Sequence, residues 1–496
     1  MIPLTLTRIA DVVGGRLHGA DALVDGPVVT DSREAGPGSL YVARVGERAD
    51  GHDFAAAAAA AGAVGALTTR PLPDLPCVVV DDVQEAFAAL ASEVIACVPG
   101  LTVVGVTGSS GKTTTKDLLA AVLARHGETV ANVGSLNSEV GVPLTVCRVT
   151  PTTRVLVLEM GARGLGHLTY LTDMTHPRIG VVLNVGSAHV GEFGSRDNIA
   201  RAKGELVAAL PAGGLAVLNG DDPLVAAMPV PDGVRTVFTG RGSGPAEGGD
   251  EANPDRSGRV TAADVRVDDL GAASFTLRAG GPDGTGVPVT LGVLGEHQVD
   301  NALAVAAVAL EVGMALPDVA AALGQARLAS RWRMERHERA DGVSVVNDAY
   351  NANPESMAGA LRTLARMGGA RRTWAVLGAM LELGPSGPDL HREIGSLAHD
   401  LGIDEVLAVG ADARPVQDGA AAGRTPTRAR WVRDTQEAYA VLEDELRAGD
   451  VVLVKSSRDA GLRDLGDRLV ESGGRGGRDD RTARPAGRAA QDEVAS

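Results

Sequence analysis

Residues 101–127 read LTVVGVTGSSGKTTTKDLLAAVLARHG, which divides into a strand, a glycine-rich turn and a helix. Leu101 to Val106 is a short apolar run of the kind a buried parallel strand needs. Gly108, Ser109, Ser110 and Gly111 follow at once and are small enough for a phosphate to approach the backbone. Lys112, Thr113 and Thr114 then open a segment with apolar residues at Leu118, Leu119, Val122 and Leu123, a helical spacing that stops at Gly127. Bare amides at a helix N-terminus attract anions, and a lysine and a hydroxyl suit a terminal phosphate and Mg²⁺. The stretch predicts an ATP site built from Gly108, Ser109, Ser110, Gly111, Lys112, Thr113 and Thr114. The longer phosphate-loop pattern would place glycine at position 106, where Val106 stands, so the shorter G-x-x-G-K-T is the form present.

The 496 residues suggest about three domains, and 64 glycines with 2% aromatics point to a loop-rich α/β enzyme. The net charge of −16 argues against nucleic acid as a partner. Cys77, Cys97 and Cys147 lack metal-site spacing and are expected as small buried thiols in a reducing compartment. Neither a leader nor a long apolar run is present, so a cytoplasmic protein without membrane insertion is expected.

Residues 1–99 read as an α/β module in which Ser32 and Arg33 precede a turn and a strand; Arg33 can hold an anion or simply be solvated. Residues 100–329 alternate strand and helix after the phosphate loop, which predicts a parallel sheet flanked by helices, with ligands at the carboxyl ends of its strands. Two later strands deliver Glu159 and Asn184 there, with His189 just beyond, and a helical stretch carries Lys203. Glu159 stands out because a carboxylate ending a buried strand is costly without a partner. His189 has a structural alternative, and Lys203 can pair with Glu205 or solvent instead. His297 and Asn301 lie one turn apart on a later helix. Residues 240–259 are expected to form a disordered insertion and 472–496 a tail without fold. Residues 330–471 read as a Rossmann-like α/β domain, with polar loops after strands at Asn347 and Lys455. The fold expected is α/β with three domains around a central P-loop sheet, and the residues alone leave kinase, hydrolase and ligase open.

Taken together these segments resemble the Mur ligases of peptidoglycan synthesis over about 30–458. TGSSGKTT is shared with folylpolyglutamate synthases, whereas NSEVGVPLT from Asn137, EMGA from Glu159, NVGSAHVGEFGS from Asn184 and NDAYNANPESM from Asn347 are more specific. The last resembles the branch that adds a dipeptide. The resemblance implies a ligase in which the carboxylate of UDP-N-acetylmuramoyl-tripeptide attacks the γ-phosphate of ATP, and the amine of D-alanyl-D-alanine then displaces phosphate from the acyl phosphate.

It also implies roles for particular residues. Lys112 and Asn184 serve the nucleotide, Thr113 a first Mg²⁺, and Glu159 with His189 a second. Lys203 matches a carbamylated lysine that supplies a carboxylate to the metal, and Asn137 lies near metal and acyl phosphate. Arg333 reaches the γ-phosphate, His297 and Asn301 lie near the adenine, and Asp348 and Asn351 near the ribose. Ser32 and Arg33 contact the uridine diphosphate, and Lys455, Ser457 and Arg458 face the dipeptide. A monomer acting on these small molecules is expected. Another amino-acid-adding or folylpolyglutamate-type ligase, or a non-catalytic nucleotide-binding protein, are the alternatives.

Overall fold

The computed structural model describes residues 1–46, 49–186, 193–241, 258–280, 286–423 and 427–472. His189, most of the expected insertion and nearly all of the expected tail lie outside the described residues.

Three large sheets, each wrapped by helices, follow one another along the chain, and a short antiparallel pair, Leu4–Thr5 with Leu23–Val24, accompanies the first. In the first, strands Arg16–His18, Cys77–Val79, Gly65–Thr68, Leu40–Val42 and Val28–Val29 lie side by side in that order, parallel after the first pair. Helix Val83–Ala96 starts where the Asp82 carboxylate accepts from the amides of Gln84 (2.7 Å) and Glu85 (3.1 Å). Its apolar side shares one core with Val142, Val146, Leu156 and Leu158 of the central domain. Burying a common core joins the first two domains more firmly than a polar contact would.

The central sheet has nine strands, ordered Val287–Leu294, Ala272–Ala279, Arg259–Val267, Arg235–Gly240, Leu215–Asn219, Ile179–Val182, Thr102–Thr107, Val155–Glu159 and Thr129–Ala131. The strands from Arg259–Val267 to Thr129–Ala131 run parallel, and the last two in the chain fold back antiparallel at one edge. From Thr102–Thr107 the chain goes first to the far edge, returns through Val155–Glu159, and then crosses to Ile179–Val182 on the other side. Such a reversal opens a crevice at the carboxyl ends of the strands, where ligands bind. Glu159 pairs with Val106 and Val182 with Thr107, so both neighbouring strands end beside the phosphate loop. Val106 is fully buried and packs with Leu119, Val122 and Val299; it belongs to the core below the loop. That burial accounts for the valine at position 106.

The third sheet, ordered Glu335–Glu338, Ser344–Asn347, Val451–Lys455, Thr373–Leu377, Glu405–Val409 and Arg428–Val432, is parallel except for its first pair. It carries separate apolar cores on its two faces, the doubly covered pattern of a Rossmann-like domain. Asn353 begins helix Pro354–Gly368 with a capping box: its side chain accepts from the Ser356 amide at 2.8 Å, and the Ser356 hydroxyl accepts from the Asn353 amide at 3.0 Å. This fixes the loop 348–353 between a buried strand and a capped helix. Among the described residues, no helix is long and apolar enough to cross a membrane. Cys77 and Cys147 are buried free thiols as expected, whereas Cys97, just past the end of helix Val83–Ala96, is exposed.

Candidate active site

Gly111, in the left-handed region at φ +82°, turns the chain into helix Lys112–Leu123; a Cβ there would lie 2.6 Å from Asn301 Oδ1. Asn184 braces the loop from the next strand, its Oδ1 accepting from the Ser110 amide at 2.9 Å and its Nδ2 donating to the Ser110 carbonyl at 3.1 Å. The Gly186 amide donates to Ser109 Oγ at 2.9 Å. Lys112 folds back across the loop and donates to the Gly108 carbonyl at 2.7 Å. Burial lowers its pKa, Arg333 lowers it further, and Glu159 opposes both. A phosphate in the loop would give this ammonium the anionic partner that a carbonyl only partly replaces.

Glu159 is 1% exposed. Its Oε1 accepts from Asn137 Nδ2 at 2.6 Å and Ser135 Oγ at 3.0 Å, whereas its buried Oε2 has no hydrogen-bond partner. An orphaned carboxylate oxygen facing the loop is the acceptor a hard cation needs. Among the described residues no three His, Cys, Asp or Glu side chains converge as a ready-made metal cage. The donors fit an ion that shares substrate phosphate oxygens, as Mg²⁺ does.

Lys203 sits on helix Arg196–Ala208, 5% exposed. Its amine is held well below the usual lysine range, by burial first and by the Lys112 charge second. Glu205 accepts instead from the amides of Gly166 (2.7 Å) and Thr169 (3.0 Å), at the start of helix His167–Thr175. The lysine is therefore left facing the phosphate loop while its sequence neighbour caps another helix.

The third domain reaches the same loop. Arg333 donates to Thr113 Oγ1 at 3.0 Å and lies over the Tyr350 ring at 4.2 Å, and Asn353 Nδ2 approaches the Ser109 carbonyl at 3.4 Å. Asp348 binds Lys455 Nζ at 2.6 Å through one oxygen and the Met334 amide at 3.0 Å through the other. Lys455, 2% exposed, also donates to the Asn351 carbonyl at 3.0 Å, and burial lowers its pKa against the pull of Asp348. His297 has a buried Nδ1 without a partner, and burial pushes its pKa down to about 4, so the imidazole is neutral. Beside it Asn301 donates to Gln298 Oε1 at 2.7 Å.

A cavity of about 910 Å³ gathers most of the residues singled out from the sequence: the loop from Ser109 to Thr114, Asn137, Glu159, Asn184, Lys203, His297, Asn301, Arg333, Asp348, Asn351, Lys455 and Arg458. Gly108 does not line the cavity; a Cβ there would lie 2.9 Å from Leu183 Cβ on the neighbouring strand's end. Ser32, Arg33 and Ser457 do not line the cavity. Arg33 forks onto its neighbour Asp31 (2.6 and 3.0 Å), and the Ser457 hydroxyl bridges the Leu381 amide and the Ala352 carbonyl. Sequence reasoning passed over Arg44, Ser135 and Tyr350. Arg44 enters the cavity from the first domain, two residues after strand Leu40–Val42; a search for polar residues just past strand ends would have found it.

A phosphate loop at a sheet's switch point, closed over by an arginine and an asparagine from a third α/β domain, defines a nucleotide-using enzyme of three domains. Residues 27–95 match the Mur ligase family, catalytic domain; 106–309 the Mur ligase middle domain; and 332–458 the Mur ligase, glutamate ligase domain. The UDP-N-acetylmuramoyl-tripeptide--D-alanyl-D-alanine ligase of Mycobacterium tuberculosis is 45% identical over 520 residues, spanning 95% of this chain and 98% of its own. MurF from Acinetobacter baumannii superimposes with a TM-score of 0.82 at 30% identity, over 95% of this chain and 99% of that one. MurF ligase from Thermotoga maritima, in complex with ADP, gives 0.75 at 28% identity, over 90% and 99%. The chain belongs to the Mur ligase family.

Proposed function

We propose that this chain is the ATP-dependent ligase that joins D-alanyl-D-alanine to UDP-N-acetylmuramoyl-tripeptide for peptidoglycan synthesis. The observation that carries the reading is the full-length 45% identity to a relative so named. In the structure the motif NDAYNANPESM, which resembles the dipeptide-adding branch, forms the third-domain wall of the phosphate cavity.

In this reading a tripeptide carboxylate oxygen attacks the γ-phosphorus of ATP, the P–O bond to ADP breaks, and an acyl phosphate forms. The dipeptide amine then attacks the carbonyl carbon, the C–O bond breaks, phosphate leaves and the nitrogen gives up a proton. Both attacks bring electron-rich groups together, so the site must supply positive charge where negative charge concentrates. Lys112, lying across the loop on the Gly108 carbonyl, and Arg333, on Thr113 Oγ1, bring that charge to the loop. Thr113 Oγ1 would hold a first Mg²⁺, and the free Oε2 of Glu159, with His189 from outside the described residues, a second; bound there, the ions would neutralise phosphate oxygens. Asn137 orients Glu159.

Lys203 fits carbamylation because only a neutral amine adds CO₂, forming N–C and releasing a proton, and its depressed pKa favours that form. The carbamate charge would then be balanced by Lys112. His297 and Asn301 border the adenine, and Asp348 and Asn351 the ribose. Lys455, Ser457 and Arg458 shape the dipeptide side, Lys455 by fixing Asp348. The uridine diphosphate extends from the cavity past Arg44 toward Ser32 and Arg33 on the first domain. Domain limits near 1–99, 100–329 and 330–471 follow, and a cytoplasmic monomer suits these soluble substrates.

An acceptor-swap assay tests the reading. With ATP, Mg²⁺ and UDP-linked tripeptide, D-alanyl-D-alanine should yield UDP-linked pentapeptide, ADP and phosphate, and glutamate or diaminopimelate should not. ADP release that ignores the dipeptide would contradict it.

A further inference from the structure

The segment 330–334 joins the central and third domains, and its conformation is unusual on both sides of Arg333. Trp332 (φ +58°) and Met334 (φ +50°) both lie in the left-handed region that bulky side chains rarely adopt. Backbone of this kind persists only where its surroundings over-determine it.

Two carboxylates, one from each domain, do so. Asp117, on the phosphate-loop helix, is 3% exposed and accepts the Ser330 amide at 2.8 Å through Oδ2, while its Oδ1 pairs with buried Lys116. Lys116 also donates to the Asn132 carbonyl at 2.9 Å and approaches Ser330 Oγ at 3.4 Å. At the other end Asp467, on helix Leu462–Ser472, accepts from Trp332 Nε1 (3.0 and 3.1 Å), Arg331 (2.9 Å) and Asn347 Nδ2 (3.2 Å). Within the segment the Trp332 amide donates to Glu335 and the Met334 amide to Asp348, each at 3.0 Å. Three alternate amides of a five-residue segment thus end on carboxylates, and Arg333 is left pointing at Thr113.

We infer that Asp117 and Asp467 are positioning residues: together they pin the interdomain segment so that Arg333 is held on the phosphate loop. The inference rests on the proposed reading only in taking Arg333 to act on the transferred phosphoryl group.

The test uses the full chain. Asp467→Ala removes one anchor, and the paired change Lys116→Met with Asp117→Leu removes the other without stranding a buried charge. In hydrogen exchange, the amides of Ser330, Trp332 and Met334 should be protected in the wild type and exchange at least about tenfold faster in both variants. With Asp467→Ala, kcat should fall about tenfold while KM for ATP stays within about twofold, the pattern of a transition-state contact rather than a general loss of fold. Asp467→Glu should recover most of the loss. In an Arg333→Ala background, Asp467→Ala should change kcat by no more than about twofold, because residues acting through one contact are not additive. An equal loss in both backgrounds, or unchanged exchange in Asp467→Ala, would overturn the inference. Exchange needs no turnover: wild-type protein that makes no pentapeptide while Asp467→Ala still releases the segment would contradict the proposed reaction and leave the anchoring intact.

Discussion

At the scale of single residues, the site is built from polar groups whose usual partners have been withheld. Glu159 keeps one oxygen unpaired, Lys203 faces the positive Lys112, and His297 is neutral through burial. Lys203→Ala should lower turnover about a hundredfold or more, and formate or acetate should restore part of it by standing in for the carboxylate of the proposed carbamate. Near-normal turnover without rescue would show that Lys203 carries no metal-binding carboxylate. His297 gives a pH test on stability. Its pKa is about 4 in the folded protein against the ordinary 6.5, so between those values the unfolded chain binds the extra proton. Stability from this group is complete above about pH 6.5 and is lost as pH falls toward 4. His297→Gln should flatten the fall of the urea midpoint across that window; an unchanged slope would assign the acid sensitivity elsewhere. Glu159 was legible in the sequence because a carboxylate ending an apolar strand needs a partner. The setting of Lys203 was not, since Glu205 stands two residues away and only the fold shows it capping a different helix.

At the scale of elements, the phosphate loop works because strand, turn and helix each leave space for the next. Gly111 must be left-handed and must also pass Asn301 without a Cβ. Gly111→Ala should cost about 1–2 kcal/mol of stability from backbone strain alone and weaken ADP binding at least about tenfold in calorimetry. Wild-type affinity in this variant would mean that the turn does not hold phosphate. The strand, the turn and the helix were readable from apolar spacing and glycine placement. The meaning of Val106 was not, because a pattern match says nothing about which way a side chain points, and here it points into the core beneath the loop. Strand order was equally hidden: alternation predicts a parallel sheet, but only hydrogen bonding between strands places Glu159 and Asn184 on either side of the loop.

For the whole molecule, chemistry depends on a domain that contributes nothing to the phosphate loop in sequence. Arg333 and Thr113 are 220 residues apart, and they meet where the third domain packs against the phosphate loop. Arg333→Ala should lower kcat by about 10²–10³ with little change in the melting temperature, as expected for a cation supplied to a phosphoryl group from a second body. A large fall in melting temperature with kcat preserved would make it a structural residue. Such contacts cannot be read from a sequence, because no local pattern encodes which loops of two domains will meet. The family resemblance supplied the pairing, and the fold supplied the distances. In the proposed reaction the peptide carboxylate is activated by accepting the γ-phosphoryl group, and an oxygen label follows that transfer into the released phosphate. With ¹⁸O in the terminal carboxylate of the UDP-linked tripeptide, turnover with D-alanyl-D-alanine should place one ¹⁸O atom in each inorganic phosphate released. Pentapeptide formed with unlabelled phosphate would contradict the account.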